Sequence, residues 1–210
     1  MCGFARILRM GVAGSLALIL LFVAQPAWAL VIADTFGPNN SFQCCGGYVI
    51  EGGVQEIGVP FTLATRVVTD EFDVAATGSN LLLSIFADQN GVPGGTAIRD
   101  ISFSGNGFVS LVAHIPLAAG NYWLVMSDPL GVEATWNHND LGLNGTIAVN
   151  QFTDAFGNFL PIGWHEVNDV LPAYAILARP VDEPASLSIF VLGILIVVIA
   201  RQVVSRVAPT

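Results

Sequence analysis

Two long apolar segments, one near each end of the chain, decide which residues can build a folded domain. The first runs from Gly11 to Ala24 and the second from Ala185 to Ala200, and neither contains a charged residue. A helix formed by either segment has no polar stripe to show to solvent, which is typical of membrane-inserted or exported ends. The fold must therefore come from the residues between them, about 30 to 180.

The N-terminal segment has the layout of a secretory signal peptide. Arg6 and Arg9 precede the apolar run, and Ala27-Trp28-Ala29 closes it. The small side chains of Ala27 and Ala29 suit signal peptidase, so we expect cleavage after Ala29 and a signal peptide over residues 1–29. The alternative is an uncleaved anchor, but the run is shorter than the roughly 20 residues that a spanning helix needs.

The C-terminal segment predicts a single transmembrane helix over residues 185–200, with a buried core helix as the alternative. Arg201 and Arg206 lie only on its far side, so the positive-inside rule leaves the C-terminus in the cytoplasm. The domain over residues 30–180 is then expected on the periplasmic side of the membrane.

Charge separates the middle of the chain from its ends. All 16 acidic residues lie between Asp34 and Glu183, where sixteen carboxylates face three arginines and the net charge is −13. Phosphate backbones and anionic lipids repel such a segment, so no nucleic-acid partner is expected. The chain contains no lysine, which excludes Schiff-base enzymes and P-loop NTPases.

The middle also predicts an all-β fold, an antiparallel and jelly-roll-like β-sandwich, because short β-rich runs alternate with clusters of Gly, Pro, Asn and Asp. The candidate strands are Leu30–Phe36, Phe61–Val68, Leu81–Ala87, Ala97–Phe103, Phe108–Ile115, Asn121–Ser127, Gly131–Trp136, Thr146–Phe152 and Ala173–Ala178. Alternation assigns Leu81, Leu83, Ile85 and Ala87 to one core face. Pro93-Gly94 predicts a type II turn.

The C-terminal residues resemble a known sorting signal. Glu183-Pro184-Ala185-Ser186-Leu187, the apolar helix and the following arginines are similar to the PEP-CTERM signal of Gram-negative, exopolysaccharide-producing bacteria. This sequence has Asp182 where the first proline normally stands, and only two arginines, Arg201 and Arg206, in the basic cluster. The resemblance implies that exosortase, a membrane-embedded sorting enzyme, cuts near Glu183-Pro184 and passes the domain to the cell surface or the extracellular matrix.

A second resemblance lies in the middle, over about residues 60–137. The residues Leu83–Asp88, Gly91–Gly94 and Leu117–Val125 are similar to the choice-of-anchor exported β-domains, in particular type R. Those domains are named for their interchangeable sorting tags. The resemblance implies export and no particular chemistry.

Cys44 and Cys45 are adjacent, and no third cysteine remains once the signal peptide is removed. An exported protein meets an oxidising compartment, so the pair forms a vicinal disulfide, links to another chain or stays reduced. No further cysteine stands at metal-ligand spacing, and neither a metal nor a cofactor site is predicted.

Trp136-Asn137-His138-Asn139-Asp140 is the strongest candidate for a ligand site. An aromatic ring beside amides and a carboxylate is what a sugar site uses, so Trp136, Asn137, His138 and Asp140 are candidates for a loop that binds exopolysaccharide. The alternative is that Trp136 belongs to the core. His114 alternates with Ser110 and Val112 on one strand face and is interpreted as half-buried.

No sequence motif predicts catalysis, since GxSxG, HExxH and CxxC are all absent from the chain. The sequence therefore predicts an exported surface or matrix protein without enzymatic activity, processed by signal peptidase and exosortase. A carbohydrate-binding module at the cell surface is the alternative.

Overall fold

The computed structural model describes residues 29–50, 55–130, 134–150, 152–153, 159–160 and 163–181. The apolar ends lie outside these residues, and so do Ala27, Glu183, Pro184, Arg201 and Arg206. Within the described ranges, no helix is long and apolar enough to cross a membrane.

The described residues are all-β, with one short 3-10 turn at Pro38–Asn40. The strands are β1 (Leu30–Asp34), β2 (Phe42–Ile50), β3 (Glu56–Leu63), β4 (Val67–Gln89), β5 (Val92–Val112), β6 (Pro116–Leu117), β7 (Gly120–Ser127), β8 (Ala134–Asn139), β9 (Asn144–Asn150), β10 (Phe152–Thr153), β11 (Phe159–Leu160), β12 (His165–Val170) and β13 (Tyr174–Pro180). Every strand pairing in the described residues is antiparallel.

Strand β4 is 23 residues long and pairs along both of its edges. One edge pairs with β5 from Glu71 to Gln89. The other edge pairs first with β13, from Val67 to Val74, then briefly with β8, and then with β7, from Leu82 to Ala87. The sheet order β1-β13-β4-β7-β3-β9-β12 therefore runs through this one strand.

A bulge divides β4 between its two groups of neighbours. The register with β5 shifts between Gly78 and Leu81, and φ is +150° at Gly78 and +61° at Asn80. A Cβ on Gly78 would lie 2.7 Å from the Cβ of Ala134, so a larger residue would collide with β8. The glycine lets the backbone bend and lets β8 approach closely.

The core forms where inward-facing positions of these strands meet. Leu81, Leu83 and Ile85 are fully buried, which confirms the predicted core face, whereas Ala87 is exposed. They belong to one large apolar cluster with residues from β3, β7, β8, β9 and β13. Its other fully buried members include Ile57, Val59, Phe72, Val74, Leu124, Met126, Trp136, Ile147 and Ile176.

The predicted turn at Pro93-Gly94 is wrong. β4 and β5 are joined by Asn90 and Gly91, with φ of +58° and +88°, while Pro93 pairs with Asp88 inside the ladder. Positive φ at both central residues is the type I′ geometry, which Asn-Gly adopts readily and which matches the twist of a hairpin.

Several predicted strand boundaries also need correction. The predicted strand over residues 61–68 runs across the turn between β3 and β4. The predicted strand over 97–103 and the first part of the one over 108–115 belong to the single strand β5, which ends at Val112. Gly105 and Gly107 lie between the two predicted strands, and both pair with β4. β2 and β12 were not predicted, because β2 contains Cys-Cys-Gly-Gly and β12 is polar on both faces.

The interpretation of His114 as half-buried is wrong as well. Its side chain is 58% exposed, and its Nδ1 lies 3.3 Å from Oδ1 of Asp70. Arg179 approaches the same carboxylate oxygen at 3.3 Å. His114 lies two residues beyond the end of β5 and, like Ser110 and Val112, is exposed to solvent.

Candidate functional site

The pairing of β2 with β8 brings the two sequence-predicted groups together. Phe42 pairs with Asn139 and Gly47 pairs with Asn137, so residues 43–46 of β2 stand opposite the single residue His138. We call residues 43–46 the β2 bulge. It carries Cys44 and Cys45, and three of the predicted sugar-site residues, Trp136, Asn137 and His138, lie on the neighbouring strand β8.

Both cysteines of the β2 bulge are exposed free thiols, and their Sγ atoms lie 3.4 Å apart. Cys45 has a φ of +69°, the left-handed conformation that the bulge imposes. The hydrogen bond and the charge of the neighbouring Cys45 thiol raise the pKa of Cys44, so its thiol form is favoured. A vicinal disulfide requires the sulfur atoms to approach to about 2.05 Å.

Trp136 lies in the core and not on a loop. Its side chain is 0% exposed, and its Nε1–H donates a hydrogen bond to the carbonyl of Ala173 at 3.2 Å. The ring also meets Tyr174 edge-on, with centroids 6.2 Å apart. Trp136 therefore offers no ring face on which a sugar could stack.

The two asparagines beside Trp136 are buried in β8. Asn137 is 5% exposed, and its carbonyl accepts a hydrogen bond from the N–H of Ala173. The Asn139 side chain is 2% exposed, donates to the carbonyls of Leu143 and Leu171 and accepts from the N–H of Leu143. The Asn139 amide thus holds the turn after β8 and is not free to take sugar hydroxyls.

His138 packs against the ring of Tyr48 on β2. Its ring meets Tyr48 edge-on with centroids 4.7 Å apart, and its Nε2 is buried without a hydrogen-bond partner among the described residues. Burial lowers the pKa of His138, against the opposing effect of Asp169. The Tyr48 hydroxyl donates to the carbonyl of Val170 at 2.6 Å, and burial raises its pKa. Asp140, by contrast, is exposed.

A group of carboxylates on β1 and β4 was not predicted as a site. Asp73 lies near Glu71 and Asp34, and the pKa of Asp73 is raised by burial and then by the charges of those two neighbours. The Ser110 hydroxyl on β5 donates a hydrogen bond to Glu71. Glu71 and Asp73 are two residues apart on β4 and so share one face, and the pairing with β13 and β1 places Asp34 beside them.

A small aromatic cluster, also missed, lies outside the main core. Trp123 is 2% exposed and its Nε1–H donates to Oδ1 of Asp88 at 2.7 Å. Phe86 and Trp164, both half-buried, pack against the cluster that Trp123 forms with Val125 and Ala148. Trp123 is therefore buried, as its place between Tyr122 and Leu124 indicates, but it packs away from the main cluster.

No group of three or more His, Cys, Asp or Glu side chains that could hold a metal ion occurs in the part of the chain that the structure describes. Comparisons with protein-family models, with curated proteins and with solved structures found no match to this chain.

The burial of Trp136 generates the first prediction. Trp136→Ala should lower the free energy of unfolding by about 3 to 5 kcal/mol, because it leaves a cavity in the main core. Trp164→Ala is the matched control, since Trp164 is half-buried at the edge of the small cluster, and its loss should be clearly smaller. Thermal melts of the two variants measure the difference. A Trp136→Ala protein with native stability and lost polysaccharide binding would contradict this placement.

The second prediction concerns the β2 bulge. In the exported protein we expect Cys44 and Cys45 to close a vicinal ring, because their Sγ atoms already touch and export supplies oxidising conditions. Thiol titration should then find two thiols only after reduction, and the chain should run as a monomer on a denaturing gel with or without reductant. A reductant-sensitive dimer would show a link to a second chain, and two thiols without reductant would show a reduced pair.

Proposed function

We propose that this chain is an exported cell-surface or extracellular-matrix protein without catalytic activity, delivered by signal peptidase and an exosortase-type enzyme. The observation that carries the proposal is the pair of apolar segments, with the Glu183-Pro184 motif, around an acidic, lysine-free middle. The finer fold that we propose is a jelly-roll-like sandwich with a signal helix before it and one transmembrane helix after it.

The limits of the β-domain support this proposal. β1 begins at Leu30, directly after the expected cleavage site, and β13 ends at Pro180, just before the sorting motif. The N–H of Val181 still donates a hydrogen bond to the carbonyl of Arg66 at 3.2 Å. Cuts after Ala29 and near Glu183 would therefore remove no strand of the described domain.

The pairing of the first strand, β1, with the last strand, β13, is a second argument for the proposal. β1 and β13 are antiparallel neighbours, and Leu30 lies opposite Ala178. The start of β1 is thus beside the end of β13, so both apolar segments leave the domain at the same end. A domain with both exits at one end can stand on a single membrane while either segment is still inserted.

The third prediction tests export and sorting together. The full chain, expressed in a Gram-negative host that makes exopolysaccharide and has an exosortase, should leave the cytosol, begin at Leu30 and lose its C-terminal segment. N-terminal sequencing and intact mass of each cell fraction measure these changes. Pro184→Ala should keep the C-terminal segment attached and leave the protein in the membrane fraction.

Glu166→Ala is the control for this experiment, because Glu166 is an exposed acidic residue within the domain and outside the motif. It should be processed like the native chain. Intact chain in the cytosol, still starting at Met1, would overturn the whole proposal. Export with equal loss of the C-terminal segment from the native and Pro184→Ala chains would overturn the role of the motif alone.

A further inference from the structure

The 21-residue strand β5 pairs along only one edge in the described part of the chain. All of its ladder partners belong to β4, from Val92 opposite Gln89 to Val112 opposite Glu71. The second edge carries backbone N–H and C=O groups that can pair with another strand. From Ile101 to Val112 the strand has no charged residue and no proline, two of the features that commonly block edge pairing. Gly107, with a φ of +109°, is the one residue of this stretch with a positive φ.

The sequence of this edge is nearly symmetric about Asn106. Moving outward by equal steps, one finds Gly105 and Gly107, Ser104 and Phe108, Phe103 and Val109, Ser102 and Ser110, and Ile101 and Leu111. Four of these five pairs match in character, and the exception is Ser104 with Phe108. When two identical strands pair antiparallel about a two-fold axis at Asn106, one member of each of these pairs in the first chain stands directly opposite the other member in the second chain.

We propose that the open edge of β5 pairs with the same edge of a second copy of this chain, antiparallel and with Asn106 opposite Asn106. Ile101, Phe103, Val109 and Leu111 lie on the inner face and are half-buried in the single chain. Pairing sets Ile101 beside the second copy's Leu111 and Phe103 beside its Val109, which covers apolar surface.

The outer face of the paired strands is also compatible. Ser102, Ser104, Asn106 and Ser110 are exposed in the single chain, and no like charges meet in this register. Serine hydroxyls and asparagine amides can form hydrogen bonds across the pair, which is a favourable cross-strand combination. A foreign strand would need no symmetry in β5, so the near-symmetric sequence favours a second copy as the occupant.

A cysteine at the axis tests the register directly. In the full chain purified in detergent, with Cys2, Cys44 and Cys45 replaced by serine, Asn106→Cys should form a reductant-sensitive dimer under mild oxidation. Residues directly opposite in an antiparallel pair have Cα atoms about 4.5 to 5.5 Å apart, which a disulfide spans. The matched control is Ser102→Cys, at a position that is also exposed and lies on the same face. In the proposed register, position 102 of one chain stands opposite position 110 of the second copy. The two 102 positions are then about 27 Å apart along the strands, at roughly 3.4 Å per residue, so Ser102→Cys should cross-link at least tenfold less.

A second variant tests the pairing without a new covalent bond. Asn106→Lys sets two lysines opposite each other at the axis, while a single chain keeps an exposed side chain at that position. Sedimentation of the native full chain should show a concentration-dependent dimer, and Asn106→Lys should weaken its association at least tenfold. At a concentration where both chains are monomeric, their melting temperatures should agree. Equal cross-linking of Asn106→Cys and Ser102→Cys would overturn the proposal, and so would a native chain that stays monomeric.

Discussion

Strand β4 forms hydrogen bonds along both edges, and the two halves of the domain are connected through it. Its first part pairs with β13, and its last part pairs with β7. Phe72 and Val74 from the first part and Leu81, Leu83 and Ile85 from the last part enter the same core cluster. Because these residues share one strand, loss of pairing on either side of the Gly78 bulge should loosen packing on the other. The first and last strands of the described domain are joined to this same strand, because β1 pairs with β13 and β13 pairs with β4.

Short β-rich runs between clusters of Gly, Pro, Asn and Asp predicted the all-β fold. Period-2 alternation predicted the core face of Leu81, Leu83 and Ile85, because burial of one face of a strand requires it. It could not predict the length of β5. Glycines usually mark the end of a strand, but Gly105 and Gly107 both pair with β4. A Cβ on Gly105 would lie 2.6 Å from the carbonyl oxygen of Ala76, so the two strands approach closely at this glycine. Two dipeptides after Gln89, Asn90-Gly91 and Pro93-Gly94, are both typical of turns. The turn forms at Asn90-Gly91 because the type I′ geometry matches the twist of the hairpin.

The candidate site was less predictable, because residue type alone does not separate a loop from a buried strand. Trp136 and Asn139 are residue types that sugar sites use. In this fold, however, Trp136 packs in the core and Asn139 forms the hydrogen bonds of the turn after β8. Only the register of β2 with β8 shows that Cys44 and Cys45 stand opposite His138. The adjacency of the cysteines could be seen in the sequence, whereas the bulge that exposes them depends on a partner strand about 90 residues away.

Native-state hydrogen exchange of the backbone amides in β4 is the most direct test of its central role. If β4 joins the two halves into one cooperative unit, the slowest amides over residues 67–74 and 82–87 should open with free energies within about 1 kcal/mol of each other, both equal to the global value. The same agreement should persist as denaturant is added. If the amides paired with β13 open at a free energy several kcal/mol below those paired with β7, the halves unfold separately and the account is wrong.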